Sequence, residues 1–147
     1  MEAVSIPLTN GGFALIDAQD LPLVESRTWR RGAGGYAESG NDRLHQVLVG
    51  RELPEIDHHN RNRLDNRRCN LRPCTTSQNQ ANREALPHSS RYKGVTMQRK
   101  TGRFEARIVF RRRSIYLGTF ATESDAAKAY DHKAVELFGE FARLNFQ

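Results

Sequence analysis

Cysteine is scarce: the 147 residues contain two, Cys69 and Cys74. Two cannot build a disulfide framework, and their loose spacing with no second cysteine pair argues against zinc. Long apolar runs are missing as well. No stretch approaches the roughly 18 apolar residues that a membrane span needs. The opening "MEAVSIPLTNGG" has neither a basic start nor a long apolar run, so no signal peptide is expected and the expected setting is intracellular. Tryptophan occurs once, at Trp29, and hydrophobic residues make up 37%, enough to fold but only around small cores. The length suits one medium domain or two small ones. Acid is the last shortage: from His88 to Thr119 nine Lys/Arg accompany a single carboxylate, Glu105.

What is present is positive charge, unevenly spread. The formal net charge is +6. Residues 1–50 carry four Lys/Arg against six Asp/Glu, residues 51–100 eleven against five, and residues 101–147 eight against six. A concentrated basic region is the electrostatic footprint of a phosphate binder.

Residues 1–54 read as short strands and turns. "VSIPLT" and "GFALID" flank the turn "NGG" as a hairpin, "GGYAES" is strand-like, and Leu44, Val47 and Leu48 have helical spacing. "PEIDHH" ends a short strand, "NRNRLDNRRCN" is a polar loop, and "LRPCT" returns as a strand. "TSQNQANREAL" predicts a helix capped by Thr76 or Ser77 and stopped by Pro87. Residues 87–91 read as a linker between a module over 1–86 and a second over 92–147. In the second, "YKGVTMQRKTGRFEARIVFRRRSIYLGTF" gives three strands. Phe104, Ala106, Ile108 and Phe110 alternate with Glu105, Arg107 and Val109. "TESDAAKAYDHKAVELFG" is an amphipathic helix with Thr122 and Asp125 as a capping box and Gly139 as its C-terminal stop. Its expected buried stripe is Ala127, Tyr130, Ala134 and Leu137 or Phe138. The fold class is α+β.

The strands of this second module are basic and its helix is not, so the helix is expected to cover one sheet face and leave a basic one exposed. Such a ribbon fits the major groove of DNA. "YKGV", "GRFEARI", "YLGTF" and "AAKAYDHKAVELFGEFARLNF" resemble the Apetala-2/ethylene-response-factor DNA-binding domain over residues 92–146. The resemblance implies a three-stranded sheet docked in the major groove. Its DNA-facing residues would be Thr96, Gln98, Arg99, Arg103, Phe104, Arg107, Val109 and Tyr116; Lys93 is a further expected DNA contact. Thr96 and Val109 stand where the plant domains usually have Arg, and Phe104 where they have Trp, so base preference should differ.

The polar stretch "EIDHHNRNRLDNRRCNLR" raises a chemical question. Hydrolysing a phosphodiester takes a base, a divalent cation and cationic groups that hold the backbone. Histidine is the natural base near neutral pH. "IDHH" places an oxygen ligand and a base side by side, although strict alternation puts Asp57 and His58 on opposite strand faces. Asn79 follows in the next helix. The stretch resembles the HNH endonuclease motif of phage and intron homing endonucleases, from about Ser5 to Arg83. That resemblance implies a ββα-metal fold with His58 as general base. Asp57 and Asn79 would be the metal ligands, Asn70 would brace the loop and the histidine, and His45 would support them. The implied cofactor is Mg²⁺, with Mn²⁺ as an alternative. Arg61, Arg63, Arg67, Arg68 and Arg72 are expected to grip phosphates. Gln46 stands where Arg is common, and Arg61 and Arg63 where Gly is. His59 reads as a neighbour facing away, and Asn82, one turn on, is the alternative to Asn79. "DHH" also names a phosphoesterase family, whose further acidic motifs the chain lacks.

The expectation is a metal-dependent, site-directed endonuclease acting on double-stranded DNA as a monomer, with no membrane. The rival is a non-catalytic DNA-binding regulator, which has no need to keep Asp57, His58 and Asn79 together. An RNA-binding module is disfavoured, because the sheet lacks the several exposed aromatics that stack bases.

Overall fold

The computed structural model describes residues 2–52, 55–83 and 89–146. It is mixed α/β, with several small sheets and four α-helices among the described residues. The chain divides into two compact units, Met1–Thr75 and Thr76–Gln147. Part of the expected linker, residues 87 and 88, lies outside the described residues.

The first unit opens with an antiparallel hairpin. Strand β1 (Ala3–Pro7) pairs with β2 (Phe13–Asp17), and alternation turns Ile6, Ala14 and Ile16 inward. A single 3-10 turn leads into the short helix α1 (Leu21–Val24). Trp29 is 1% exposed, and its indole N–H donates to the Val24 carbonyl at 3.0 Å, so the one tryptophan is buried with its polar atom satisfied. Strands β3 (Arg30–Arg31), β4 (Ala37–Ser39) and β5 (Asp42–Arg43) form a small antiparallel sheet. Helix α2 (Leu44–Val49) follows directly, and Leu44 and Leu48, one turn apart, enter the core with Ile6, Leu8, Ile16, Val24 and Trp29. The unit ends in a two-stranded ribbon. Strand β6 (Ile56–His58) pairs antiparallel with β7 (Leu71–Pro73), setting Asp57 opposite Arg72 and His58 opposite Leu71.

Arg68 ties the polar loop to this core. Its backbone N–H donates to Asp17 Oδ2 at 2.8 Å, its guanidinium grips both oxygens of Asp20, and the same group reaches the Leu48 carbonyl at 3.1 Å. Asp20 is buried, so Arg68 is its counter-charge as well as a cross-link between three segments.

The second unit begins with helix α3 (Thr76–Asn82), with Thr76 inside the helix. Strands β8 (Val95–Gln98), β9 (Arg103–Phe110) and β10 (Arg113–Phe120) make an antiparallel sheet with β9 in the centre. Helix α4 (Glu123–Phe138) starts at Thr122, whose hydroxyl oxygen accepts the Asp125 N–H at 3.1 Å. Its buried face is Ala126, Ala127, Tyr130, Asp131, Ala134 and Phe138. These meet the sheet in two clusters, one with Val95 and Ala106, the other with Ile108 and with Ala81 of α3. Gly94 lets the first strand approach: at φ 74°, a Cβ there would overlap the Tyr130 ring and the Arg107 carbonyl. Asp131, polar yet buried, accepts the backbone N–H groups of Asn145 and Phe146 and so ties down the tail.

Lys93 lies against the end of α3. Its ammonium donates to the carbonyls of Ala81 and Arg83, at the end of α3. A helix C-terminus leaves carbonyls without intrahelical partners and carries partial negative charge, which a lysine satisfies.

Replacing Arg68 with Ala should destabilise the protein by on the order of 2 kcal/mol, because a buried Asp20 loses its counter-charge while the half-exposed arginine limits the effect. Urea unfolding checks this, and Arg68→Lys should recover only part of the loss, lacking the two-pronged grip.

Candidate functional site

The ribbon β6–β7 and the loop between its strands build the first candidate site. All three residues of β6 are buried, so neither Asp57 nor His58 stands in open solvent, whichever face each takes. The loop closes on itself through asparagines. The Asn70 side-chain oxygen accepts the Asn60 N–H at 2.9 Å, its amide nitrogen donates to the Asp65 carbonyl at 2.7 Å, and the His59 N–H donates to the Asn70 carbonyl. Asp65, 2% exposed, accepts from Asn60 and from both ends of the Arg67 guanidinium. The Asn66 and Leu15 N–H groups exchange bonds with the carbonyls of Leu15 and Leu64, fastening the loop to β2.

This closure sets Asn66 against the histidine. Asn66 is 0% exposed, and its side-chain oxygen lies 3.3 Å from His58 Nε2. With that oxygen accepting, the ring proton sits on Nε2 and the lone pair on Nδ1. Asn66 is not among the residues that the sequence pattern marks. The signal was only one more asparagine in an asparagine-rich loop.

The His58 ring lies among other rings. His45 meets it edge-on with centroids 5.2 Å apart, and Tyr36 lies 5.8 Å from His58 and 5.2 Å from His45. Arg43 and Arg63 each place a guanidinium 4.8 Å from the Tyr36 centroid. Tyr36 and Arg43 are further residues that the linear motif does not mark. Burial lowers the His58 pKa from 6.5; the Asn66 hydrogen bond and the Asp57 charge oppose that shift, and Arg63 adds to it. His45 is pushed down to about 3, by burial first and then by the charges of His58 and Arg43. Among the described residues, its Nδ1 and the Asn66 Nδ2 are buried without a hydrogen-bond partner.

The arginines of the loop are mostly engaged within the unit. Arg72 donates to Asp57 Oδ2 at 2.8 Å, Arg67 pairs with Asp65, Arg68 with Asp20, and Arg63 donates to the Gly34 carbonyl. Opposite charge explains two of these, one strand across for Arg72 and two residues along for Arg67, whereas Arg68 reaches an aspartate 48 positions away. Arg61 is exposed and holds a left-handed backbone at φ 66°.

Among the described residues, no three His, Cys, Asp or Glu side chains gather closely enough to cage a metal alone. The donor on β6 is a carboxylate, a hard oxygen. A hard divalent cation that uses one or two carboxylates and completes its shell with water and phosphate oxygens fits this chemistry. Asp57, His58, His45 and Asn70 all lie in the first unit; Asn79 is half-buried and Asn82 buried on α3 of the second.

The second candidate site is the sheet face turned away from α4. Alternation along β9 sends Ala106 and Ile108 to the helix and leaves Arg103, Arg107 and Val109 exposed. Thr96 is exposed on β8 and Tyr116 on β10, and Arg99 is exposed in the turn after β8. Phe104 is a correction to the outward set: it packs with Val95, Ala106, Ala126 and Ala127, because even-numbered β9 positions share the helix-facing side. Gln98 is also occupied within the sheet. Its amide nitrogen donates to Glu105 at 2.8 Å, and its oxygen accepts from Thr101.

A loop-held histidine shifted toward its neutral form, next in sequence to a carboxylate, has the groups that general-base hydrolysis uses. Comparison with known proteins gives the family. A family model described as HNH endonuclease matches residues 48–81. Over 145 residues the chain is 32% identical to an uncharacterized HNH endonuclease of Acanthamoeba polyphaga mimivirus, covering 92% of this chain and 75% of that protein. The chain belongs to the HNH endonuclease family, whose members generally use a divalent metal. Its C-terminal part is homologous to AP2-like domains. It is 48% identical over 58 residues to an AP2-like ethylene-responsive transcription factor of Arabidopsis thaliana, covering 40% of this chain and 12% of that factor. Over 58 residues it is 47% identical to an APETALA2-like protein of Oryza sativa subsp. indica, covering 40% and 13%. The chain thus spans only a small part of the plant factors. No helix among the described residues is long and apolar enough to cross a membrane.

The buried histidines make stability depend on pH. In the unfolded chain both titrate near 6.5, so below that pH the unfolded state binds the extra protons. Stability should be complete above about pH 6.5 and fall as pH drops toward 5, a window above the ordinary carboxylate range. Denaturant unfolding across that window checks the slope, which His45→Phe should reduce.

Proposed function

We propose that this chain is a metal-dependent endonuclease that cuts or nicks double-stranded DNA at a directed site, acting as a monomer. The observation that carries this is His58 itself, buried, shifted toward the neutral form and oriented by Asn66, with the Asp57 carboxylate next to it in sequence on β6. His58 Nδ1 takes the proton from the attacking water. Asn66 keeps the proton on Nε2, and Asn70 and Asp65 hold the loop that carries Asn66. Asp57 and, on its motif position, Asn79 would hold Mg²⁺ or Mn²⁺. The order strand, strand, helix over β6, β7 and α3 suits the ββα-metal arrangement. When bound, the cation supplies charge stabilisation for the phosphate and the departing 3′ oxygen.

The second unit docks the nuclease. Thr96, Arg99, Arg103, Arg107, Val109 and Tyr116 present a basic face on an antiparallel sheet, an element that can enter the major groove. Arg61 is the loop arginine best placed for a phosphate, since Arg67, Arg68 and Arg72 answer internal carboxylates. Joining two weak modules raises their effective concentration on DNA, and binding should fall steeply with salt. A homing-type role in a phage setting is the form of this activity that the sequence resemblance favours.

The test is nicking of supercoiled plasmid, and of the source genome, at low salt with Mg²⁺. EDTA should stop it, and His58→Ala should slow it by roughly 10²–10⁴-fold, the usual worth of a general base. Asp57→Asn and Asn79→Ala should raise the metal concentration required. The acidic limb of the rate profile should fall below pH 6.5, because burial moves His58 down from that value. Tight binding in a gel shift with no cutting by the wild type, even with Mn²⁺, would reverse the assignment to a regulator.

A further inference from the structure

Glu105 is out of place on a surface meant for DNA. It is the one carboxylate among nine Lys/Arg between His88 and Thr119, and it sits on the central strand of the outward face, where a phosphate backbone would repel it. Both of its oxygens are committed. Oε1 accepts from Arg107 Nε, and Oε2 accepts the Gln98 amide N–H at 2.8 Å. The Arg107 guanidinium also lies over the Tyr116 ring, 5.4 Å from its centroid, and the Tyr116 hydroxyl is 2.7 Å from Thr119 Oγ1. Side chains from all three strands thus share one network centred on a single acid.

The consequence falls on Arg107. An unrestrained arginine on a basic face would follow the nearest phosphate. Held through Nε and stacked on Tyr116, this one is fixed over the strand centre. Among the described residues its terminal N–H groups make no other hydrogen bond. Two parallel N–H donors match the O6 and N7 acceptors of guanine in the major groove, and no other base offers that pair. Gln98, with both ends of its amide used, is a strut and not a reader.

We propose that Glu105 is a positioning residue that sets the base preference of this protein by holding Arg107 for a guanine. The inference rests on the DNA-docking reading of the sheet. Glu105 repels phosphates generally, so it lowers affinity for arbitrary DNA while it sharpens the choice of site. Pre-ordering the arginine also reduces the conformational entropy lost on binding.

The experiment is selection from a random duplex pool with the full chain in EDTA, comparing wild type with Glu105→Gln and Arg107→Lys. Thermal unfolding and binding of one arbitrary duplex are measured beside it. Wild type should enrich a motif with guanine at one position. Glu105→Gln should bind the arbitrary duplex more tightly, yet lose enrichment at that position alone. Arg107→Lys, with its charge kept, should lose the same position. A Glu105→Gln variant with the wild-type motif overturns the proposal. So does one that is folded but weaker on every sequence. A wild type that enriches no motif removes base reading by the sheet and this proposal with it; the nuclease reading then stands or falls separately, on plasmid cleavage.

Discussion

The candidate nuclease site depends on a buried carboxylate that does no chemistry. Asp65 gathers Arg67, Asn60 and Asn70 around itself and closes the loop between β6 and β7. Its loop neighbour Asn66 is thereby carried into the interior against His58. Such a network is strong only when complete: inside a protein, satisfied polar groups reinforce one another and an unsatisfied one is costly. It explains why a stretch with almost no apolar side chains holds one shape. It also explains why so much charge serves structure here, since three of the five arginines between Arg61 and Arg72 answer an aspartate.

The two units use arginine differently. In the first, guanidinium groups are consumed by Asp20, Asp57 and Asp65, and the result is rigidity around one histidine. In the second, the arginines of β9 and of the turn after it are exposed, and the result is a positive face. The turn itself is unusual. Arg111 and Arg112 both hold positive φ, 48° and 65°, in a two-residue hairpin connection that Asn and Gly usually fill. Non-glycine residues pay little for this only as single positions, so the long, paired strands β9 and β10 must hold the turn closed.

Much of this was legible in the sequence. The second unit could be read nearly element by element, because its strands alternate, its helix has a 3.6-residue stripe, and Thr122 and Gly139 punctuate the ends. "IDHH" and the returning "LRPC" marked the ribbon. What could not be read was pairing at a distance. Nothing local says that Arg68 finds Asp17 and Asp20, 51 and 48 positions away. Charge alone marks Lys93 in the sequence; the Ala81 and Arg83 carbonyls it bonds come together only once α3 is folded. Family position points Phe104 outward and its own alternation points it inward; its packing with Val95 and Ala106 follows the alternation. Asn66 was hidden among identical neighbours, and Tyr36 and Arg43 lie far from the motif in sequence. The short strands β3 to β5 are two or three residues long, too short for a period to declare itself.

The claim on which the rest turns is that the fold presents His58 as a neutral base with its proton on Nε2. Nitrogen-15 NMR of the imidazole rings, followed from about pH 5 to pH 8 across the ordinary histidine range, reads both the charge and the tautomer directly. The His58 signal should stay neutral below pH 6.5, with Nε2 protonated. A midpoint at or above 6.5, or a proton resident on Nδ1, would contradict it.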